Sequence, residues 1–227
     1  MHSLSTIEIN PPAQALGTII LLHGLGADGN DFVPVAAEMN ALTHLPLRFV
    51  FPNAPKRAIT INNGYVMPAW YDISSLEIQQ RADRGGIAES VKQLEHLIEH
   101  EKSLGIPEQN IILAGFSQGA VIALTTGIHY PKKLGGILAL SGYLPFSEAE
   151  LMQNSQLNHH TPIFLAHGTQ DGMLPFALGQ SAYQVLQKLG FNVAWHPYPM
   201  AHSVCEAEIA DIARWLIKIF GQQGQQL

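Results

Sequence analysis

The segment Gly115–Gly119, which reads GFSQG, has the most specific chemical pattern in this sequence. An apolar, β-prone run, Ile111–Ala114, precedes it, and a run of small and aliphatic residues, Ala120–Leu124, follows it. A serine on a tight strand-to-helix turn projects its hydroxyl out of the backbone. Flanking glycines are needed where neighbouring main chain comes too close for side chains. The context therefore predicts that Ser117 is a nucleophile; without it, the five residues would indicate only a structural turn.

Asp171 is the predicted acid partner of this serine. A serine hydroxyl needs a base within hydrogen-bond reach, and the base needs an orienting acid. Where a serine sits on such a turn, the acid and then the histidine follow it along the chain, at the carboxyl ends of strands. Asp171 ends the loop that follows the strand-like run Ile163–His167. A capping aspartate before a helix that begins near Pro175 is the alternative.

His202 is the predicted base among eleven histidines. It lies in the loop after the last strand-like run and directly before the final helix. His23 and His167 also end strand-like runs, but they precede the acid in the sequence, and His196 lies inside a strand. The remaining histidines fall in the terminus, in loops or on a helix.

The glycine-rich segment Leu22–Gly29 follows the first strongly apolar run. Such a loop supplies one backbone donor to the oxyanion of a tetrahedral intermediate, and the residue after the nucleophile supplies the other. These donors are predicted to be the amides of Leu25 and Gln118. The glycine spacing also fits a dinucleotide-binding loop, but no acidic residue ends the next strand, and the lysine of a phosphate-binding loop is missing.

Composition excludes several classes of function. The chain has 227 residues and a formal net charge of −6, without a basic cluster, so no nucleic-acid partner is expected. Cys205 is the only cysteine, which excludes an internal disulfide and a cysteine-based zinc site. His96 and His100 have metal-compatible spacing but no third ligand, so no metal is expected. We expect no signal peptide, no integral membrane segment and a cytoplasmic location.

Short apolar runs alternate with helical patterns along the chain. This alternation predicts an α/β fold with a mostly parallel central sheet and helices on both faces. The expected strands are Thr18–His23, Leu47–Phe51, Ile111–Gly115, Gly136–Ser141, Ile163–His167 and Val193–Tyr198, with Thr6–Ile9 as an edge strand. Residues with 3.6-residue spacing predict helices around 87–98, 178–189 and 209–220, and Ser203–Glu206 fits a capping box before the last one.

We expect residues 1–227 to form a single domain. Residues 54–82 lack clean periodicity and are predicted to form a flap beside the site. Residues 221–227, rich in Gln and Gly, are predicted to be a frayed tail. Trp70 in the flap, together with Met173 and Leu174 after the acid, is predicted to contact an apolar substrate.

Six linked segments resemble the acyl-protein thioesterase and small carboxylesterase group, also called the phospholipase/carboxylesterase family. They span nearly the whole chain in the same order: Leu22–Phe32, Phe51–Pro55, Trp70–Asp72, Gly115–Gly119, His167–Asp171 and His202–Val204. The chain departs from the family's usual pattern at Ala120 and Ala201, where glycine is common. Both changes replace one small residue with another, so they do not threaten the three predicted catalytic residues.

The resemblance implies an α/β-hydrolase fold without a large lid domain. It implies hydrolysis of a small-molecule or acylated-protein ester or thioester, through an acyl-serine and without a cofactor. Lysophospholipase-type lipid deacylation is one alternative, and a non-catalytic binding protein on the hydrolase scaffold is another. The flap aromatics could also be buried in a homodimer. The sequence does not fix the length of the acyl chain.

Overall fold

Nine strands and six α-helices form in the parts of the chain that the computed structural model describes, residues 4–75, 83–154 and 157–221. The strands are β1 (Thr6–Ile9), β2 (Gly17–Leu22), β3 (Leu47–Pro52), β4 (Lys56–Ile59), β5 (Tyr65–Pro68), β6 (Ile111–Phe116), β7 (Gly136–Leu140), β8 (Ile163–Gly168) and β9 (Val193–Tyr198). The helices are α1 (Val33–Thr43), α2 (Arg84–Ser103), α3 (Gln118–His129), α4 (Glu148–Met152), α5 (Phe176–Lys188) and α6 (Glu206–Gly221).

Seven strands form one sheet in the order β1-β3-β2-β6-β7-β8-β9. Strand β1 pairs antiparallel with β3, and the other neighbours are parallel. The predicted mostly parallel sheet and its edge strand are therefore confirmed. Each expected run coincides with a strand to within one residue at either end. Apolar runs locate these strands well because strands covered on both faces need apolar residues at every position.

Alternation along β2 distributes the core between the two faces of the sheet. Ile19 and Leu21 pack on one face, with helices α1 and α6. Ile20 and Leu22 pack on the other face, with α2 and α3. A third apolar cluster joins α3 and α5 to strands β7 and β8. The sheet is thus covered on both sides, as predicted, and the carboxyl ends of its strands remain at one edge.

The helical periodicity seen in the sequence corresponds to buried faces. In α6 the buried residues include Ile209, Ile212 and Leu216. That helix begins at Glu206, so Ser203 lies ahead of its first turn and the predicted capping box is wrong. A complete capping box forms instead at α4, where Ser147 and Glu150 exchange hydrogen bonds.

The segment that follows β3 contains more regular structure than its sequence pattern indicates. Strands β4 and β5 form an antiparallel two-stranded hairpin between residues 56 and 68. Description of the expected flap stops at residue 75, so its remainder, residues 76–82, lies outside the described residues. Of the predicted tail, Gly221 is the last residue of α6 and residues 222–227 also lie outside them.

Candidate active site

Ser117 stands between the end of β6 and the start of α3 with an unusual backbone conformation. Its φ and ψ are 55° and −115°, and its amide donates to the carbonyl of Leu140 at 2.8 Å. A Cβ at Gly115 would lie 2.3 Å from the carbonyl carbon of Gly119, and one at Gly119 would lie 2.2 Å from the carbonyl oxygen of Leu22. Such a conformation costs about 1–3 kcal/mol and persists only where surrounding structure enforces it.

Asp171 and His202 are brought together from loops 31 residues apart in the chain. Nδ1 of His202 lies 2.6 Å from Oδ2 of Asp171. A carboxylate only accepts, so Nδ1 carries the hydrogen and Nε2 is left free to take a proton. The other oxygen of Asp171 accepts from the amides of Met173 and Leu174, at 2.9 and 2.8 Å. Asp171 is buried and the His202 side chain is 17% exposed.

One cavity of about 240 Å³ contains both Ser117 and His202 in its wall. Its other lining residues include Leu25 and Gln118, the two predicted oxyanion donors. The ring of Phe116 packs 4.8 Å from that of His202, centroid to centroid. Five predicted site residues therefore meet at the carboxyl edge of the sheet: Leu25, Ser117, Gln118, Asp171 and His202.

His23 fixes the direction of the peptide between Gly24 and Leu25. Its Nδ1 donates to the Gly24 carbonyl at 2.7 Å, and its Nε2 accepts from the amide of Ala54 at 3.1 Å. Carbonyl and N–H of a trans peptide point in opposite directions, so the Leu25 amide points away from the His23 ring. Burial lowers the pKa of His23, which keeps the neutral ring that both bonds require.

The side chain of Gln118 has a role that the sequence pattern did not indicate. Its Oε1 accepts from the amide of Trp70 at 2.8 Å, and its Nε2 donates to the carbonyl of Tyr71 at 2.6 Å. Ser90 also donates to the Trp70 carbonyl. Gln118, which lines the cavity, therefore also holds the chain that follows β5 in place.

Of the three side chains expected to contact substrate, Met173 and Leu174 line the cavity, but Trp70 does not. Trp70 is 1% exposed, and its indole N–H donates to the carbonyl of His23 at 2.9 Å. An indole ring whose N–H finds a buried acceptor is stable in the core. The neighbouring Tyr71 and Ile73 line the cavity instead. Periodicity could not separate them, because this segment is neither helix nor regular strand.

Neither a metal cluster nor a membrane-spanning element is found in the described part of the chain. No group of three or more His, Cys, Asp or Glu side chains there is arranged to hold a metal ion. None of the helices within residues 4–75, 83–154 and 157–221 has the length and apolar character needed to cross a bilayer.

Comparison with known proteins gives the family directly. The profile of the phospholipase/carboxylesterase family matches residues 5–220. The chain belongs to the phospholipase/carboxylesterase family. It is 41% identical to acyl-protein thioesterase 1 of Yarrowia lipolytica, over 95% of this chain and 97% of that protein. It is 39% identical to acyl-protein thioesterase 1 of Schizosaccharomyces pombe, over 96% and 97% of the two chains.

Solved structures of this family's fold agree with the sequence matches. The crystal structure of Arabidopsis thaliana SOBER1 has a TM-score of 0.83 with 32% identity, and covers 89% of this chain and 98% of that one. The crystal structure of esterase PE8 has a TM-score of 0.82 with 27% identity, covering 96% of this chain and all of that one. This family member is an α/β hydrolase, and it is an enzyme of the esterase and thioesterase class.

The two departures from the family's usual pattern fit their surroundings. Ala120 is buried in the first turn of α3, and a Cβ added at Gly142 would lie 2.7 Å from its methyl carbon. Ala201 is exposed, and its carbonyl oxygen would lie 2.4 Å from a Cβ added at Gly168. At Ala120 a glycine on the facing segment leaves room for the alanine methyl, whereas at exposed Ala201 the close approach to Gly168 is made by the main chain.

Proposed function

We propose that this enzyme hydrolyses carboxylic esters and thioesters of acyl chains through an acyl-Ser117 intermediate. One observation carries the assignment of residues. The 2.6 Å contact between His202 and Asp171 leaves Nε2 of His202 as the free base in the cavity that Ser117 lines. An imidazole oriented in this way, beside a serine on a strained turn, is the arrangement that acyl transfer requires.

In the first step, Oγ of Ser117 attacks the acyl carbonyl carbon while its proton moves to Nε2 of His202. Asp171 keeps Nδ1–H in place and stabilises the imidazolium. The amides of Leu25 and Gln118 donate to the oxyanion of the tetrahedral intermediate, and the N-terminus of α3 adds a favourable field.

Collapse of that intermediate transfers the proton from His202 to the departing alcohol or thiol, and the acyl group stays on Ser117. Water then loses a proton to His202 and attacks the acyl carbonyl through a second oxyanion. Breakdown of this intermediate returns the proton to Oγ of Ser117 and releases the carboxylic acid. The residues named are sufficient for both half-reactions, because the proton that His202 takes up in each one leaves again when the tetrahedral intermediate breaks down.

The substrate proposed is an acyl group on a protein or a small molecule. Met173, Leu174, Tyr71 and Ile73 give the cavity a largely apolar wall, which suits an acyl chain. The relatives from Yarrowia lipolytica and Schizosaccharomyces pombe are named acyl-protein thioesterase 1, which supports an acyl thioester on a protein as the substrate. Deacylation of a lysophospholipid uses the same chemistry. Turnover of matched esters, thioesters and a lysophospholipid with increasing chain length separates these substrates.

The deciding experiment removes the nucleophile. Ser117→Ala is expected to abolish turnover of a p-nitrophenyl ester and labelling by a fluorophosphonate probe, because no other hydroxyl is placed on the elbow. Ser181→Ala, at an exposed position of α5, is the matched control and should keep both. Retained esterase activity in a folded Ser117→Ala protein would refute the assignment.

A cytoplasmic location belongs to the same proposal. The single cysteine, Cys205, allows no internal disulfide, which is usual for proteins of a reducing compartment. Fractionation of cells that produce the tagged protein tests this, and recovery in a secreted or organelle fraction would contradict it.

A further inference from the structure

His167 is a fully buried histidine that has no role in the steps above. It is the penultimate residue of β8 and is 0% exposed. Its ring lies directly behind the acid loop, with Nε2 2.8 Å from the carbonyl oxygen of Leu174. The same Nε2 lies 3.3 Å from Oδ2 of Asp171. That carboxylate oxygen is also the one that His202 contacts, so two imidazoles converge on it.

The partners of His167 decide its tautomer. A carbonyl only accepts, so Nε2 must carry the hydrogen and Nδ1 must be bare. Within the described chain, Nδ1 has no hydrogen-bond partner. Burial lowers the pKa of His167, so the ring stays neutral. An unpaired nitrogen of a buried ring costs free energy of folding, so the polar contacts of Nε2 have to offset that cost.

The hydrogen bonds around this ring close the acid loop on itself. Leu174 accepts from His167 through its carbonyl and donates through its amide to Oδ1 of Asp171. Oδ2 of Asp171 is held between His167 and His202. Without the Nε2 donor, the Leu174 carbonyl would lose this hydrogen bond. The Leu174 amide, which orients the Asp171 carboxylate, would then be held less firmly.

Helix α5 is shaped to admit the imidazole. A Cβ at Gly179 would lie 2.4 Å from Nδ1 of His167 and 2.9 Å from its Cγ. The ring is therefore confined between the helix and the acid loop, which fixes where Nε2 points. Gly179 has no Cβ to obstruct the ring. A side chain introduced at position 179 would therefore displace the ring from the side that faces away from the site.

We propose that His167 is a positioning residue for the acid, whose Nε2–H sets the place of Asp171 and thereby the orientation of His202. The inference rests on the proposed roles of Ser117, Asp171 and His202. It predicts that the chemical step depends on a hydrogen-bond donor at one atom position of residue 167, while substrate binding does not.

Two amide variants test that atom position. The side-chain nitrogen of glutamine lies as many bonds from Cα as Nε2 of histidine, and that of asparagine as many as Nδ1. His167→Gln should keep the bond to Leu174 and retain kcat within about threefold, whereas His167→Asn should lose it and lower kcat about ten- to hundredfold with KM little changed. His196→Asn, which removes a ring stacked on Phe164 in the next strand, is the control and should keep kcat.

A spectroscopic readout separates positioning from loss of fold. The shared proton between His202 and Asp171 should give a low-field NMR resonance in the wild type and in His167→Gln. It should shift or broaden in His167→Asn and in Gly179→Ala, which keeps the imidazole but displaces it. Rates are taken per site titrated with a fluorophosphonate, so that unfolded protein does not count.

The outcomes distinguish this inference from the proposed function. Equal kcat and an unchanged resonance in the glutamine and asparagine variants would overturn the positioning role. Equal loss in both variants would overturn it too, since the position of the donor would then be irrelevant. If Ser117→Ala retained turnover, the proposed function would fail, yet the resonance would still report whether His167 places Asp171.

Discussion

At the scale of single residues, the site depends on which ring nitrogen carries a hydrogen. His23 has it on Nδ1, His167 on Nε2 and His202 on Nδ1, and in each case an acceptor that cannot donate imposes it. These three ring hydrogens orient the peptide before Leu25, the carboxylate of Asp171 and the imidazole of His202, which are the groups proposed as oxyanion donor, acid and base. The sequence predicted the base and the acid from chain order, but it gave no sign of the supporting roles of His23 and His167.

Replacing Asp171 by Asn tests the tautomer of His202. The amide nitrogen would face Nδ1 as a donor, so the ring would flip its hydrogen to Nε2 and lose its function as a base. By analogy with the same change in serine protease triads, kcat should fall by about 10⁴ with the fold intact. Steady-state kinetics and circular dichroism check this. Asp211 lies on α6 and accepts a hydrogen bond from the Tyr198 hydroxyl, away from the site. Asp211→Asn is the control and should leave kcat unchanged.

At the scale of elements, the first turns of α3 and α6 each contain a buried polar side chain near the site in sequence. Gln118 opens α3 and binds the main chain of Trp70 and Tyr71, 48 and 47 residues away. Glu208 lies in the first turn of α6, six residues after His202, and is fully buried. Gln118 therefore couples the first turn of α3 to the chain that follows β5, whereas Glu208 places a carboxyl without a hydrogen-bond partner among the described buried residues.

Replacing Gln118 by Met keeps the side-chain volume and the backbone donor but removes both clamp bonds. The buried N–H of Trp70 and the buried C=O of Tyr71 each lose one hydrogen bond, so the free energy of unfolding should fall by about 2 kcal/mol or more. Denaturant unfolding measures this, and hydrogen exchange of the peptides around Trp70 should become faster. Gln187→Met on the surface of α5, where the amide bonds only Tyr183, is the control. Unchanged exchange near Trp70 would contradict the clamp.

Glu208 makes stability depend on pH. In the described chain neither of its carboxyl oxygens has a hydrogen-bond partner. Burial raises its pKa from 4.5 to about 8, and the nearby backbone amide of Cys205 offsets part of that rise. Because the folded pKa is the higher one, the contribution of Glu208 to stability is complete below pH 4.5 and is lost as pH rises toward 8.

Glu208→Gln should therefore stabilise the protein more at pH 9 than at pH 5. The difference grows by about 1.4 kcal/mol per pH unit between the two pKa values, which amounts to several degrees in Tm. Melting curves across this range provide the measurement. Glu206→Gln, an exposed position in the same helical turn, is the matched control. A pH-independent gain for Glu208→Gln would show that the carboxyl ionises normally in the folded state.

At the scale of the whole molecule, a charge network centred on the buried Arg48 and Glu101 holds the end of the sheet opposite the site. Arg48 on β3 contacts Glu101 on α2 at 3.0 Å and Glu8 on β1 at 2.9 Å. Thr18 on β2 donates to Glu101 at 2.7 Å. Three strands and one helix are therefore joined by polar contacts at the edge where the parallel strands begin, whereas the proposed active site lies where those strands end.

Breaking this network should cost stability but not activity. Glu101→Gln leaves Arg48 buried with one carboxylate fewer, so about 3 kcal/mol of the free energy of unfolding should be lost. Glu99→Gln removes an exposed charge that pairs with Lys102 on the same helix and keeps an oxygen that can accept from the Tyr130 hydroxyl, so it should cost less than about 1 kcal/mol. Urea unfolding compares the two variants. A Glu101→Gln protein with unchanged stability would contradict the stabilising role of the network. A reduced kcat/KM would contradict the claim that this end of the sheet does not affect activity.

The sequence by itself determined the seven strands of the main sheet and the elbow around Ser117, and it predicted Asp171 and His202 as acid and base from their order in the chain. These features are local, because a tight turn needs its own glycines and a buried strand needs its own apolar run. Tertiary structure alone decided that Trp70 is buried against the His23 carbonyl, that the His23 ring accepts from Ala54, and that His167 lies against Asp171. Burial and hydrogen bonding between residues distant in the chain fix these roles, and no pattern along the chain encodes which partner a side chain will meet.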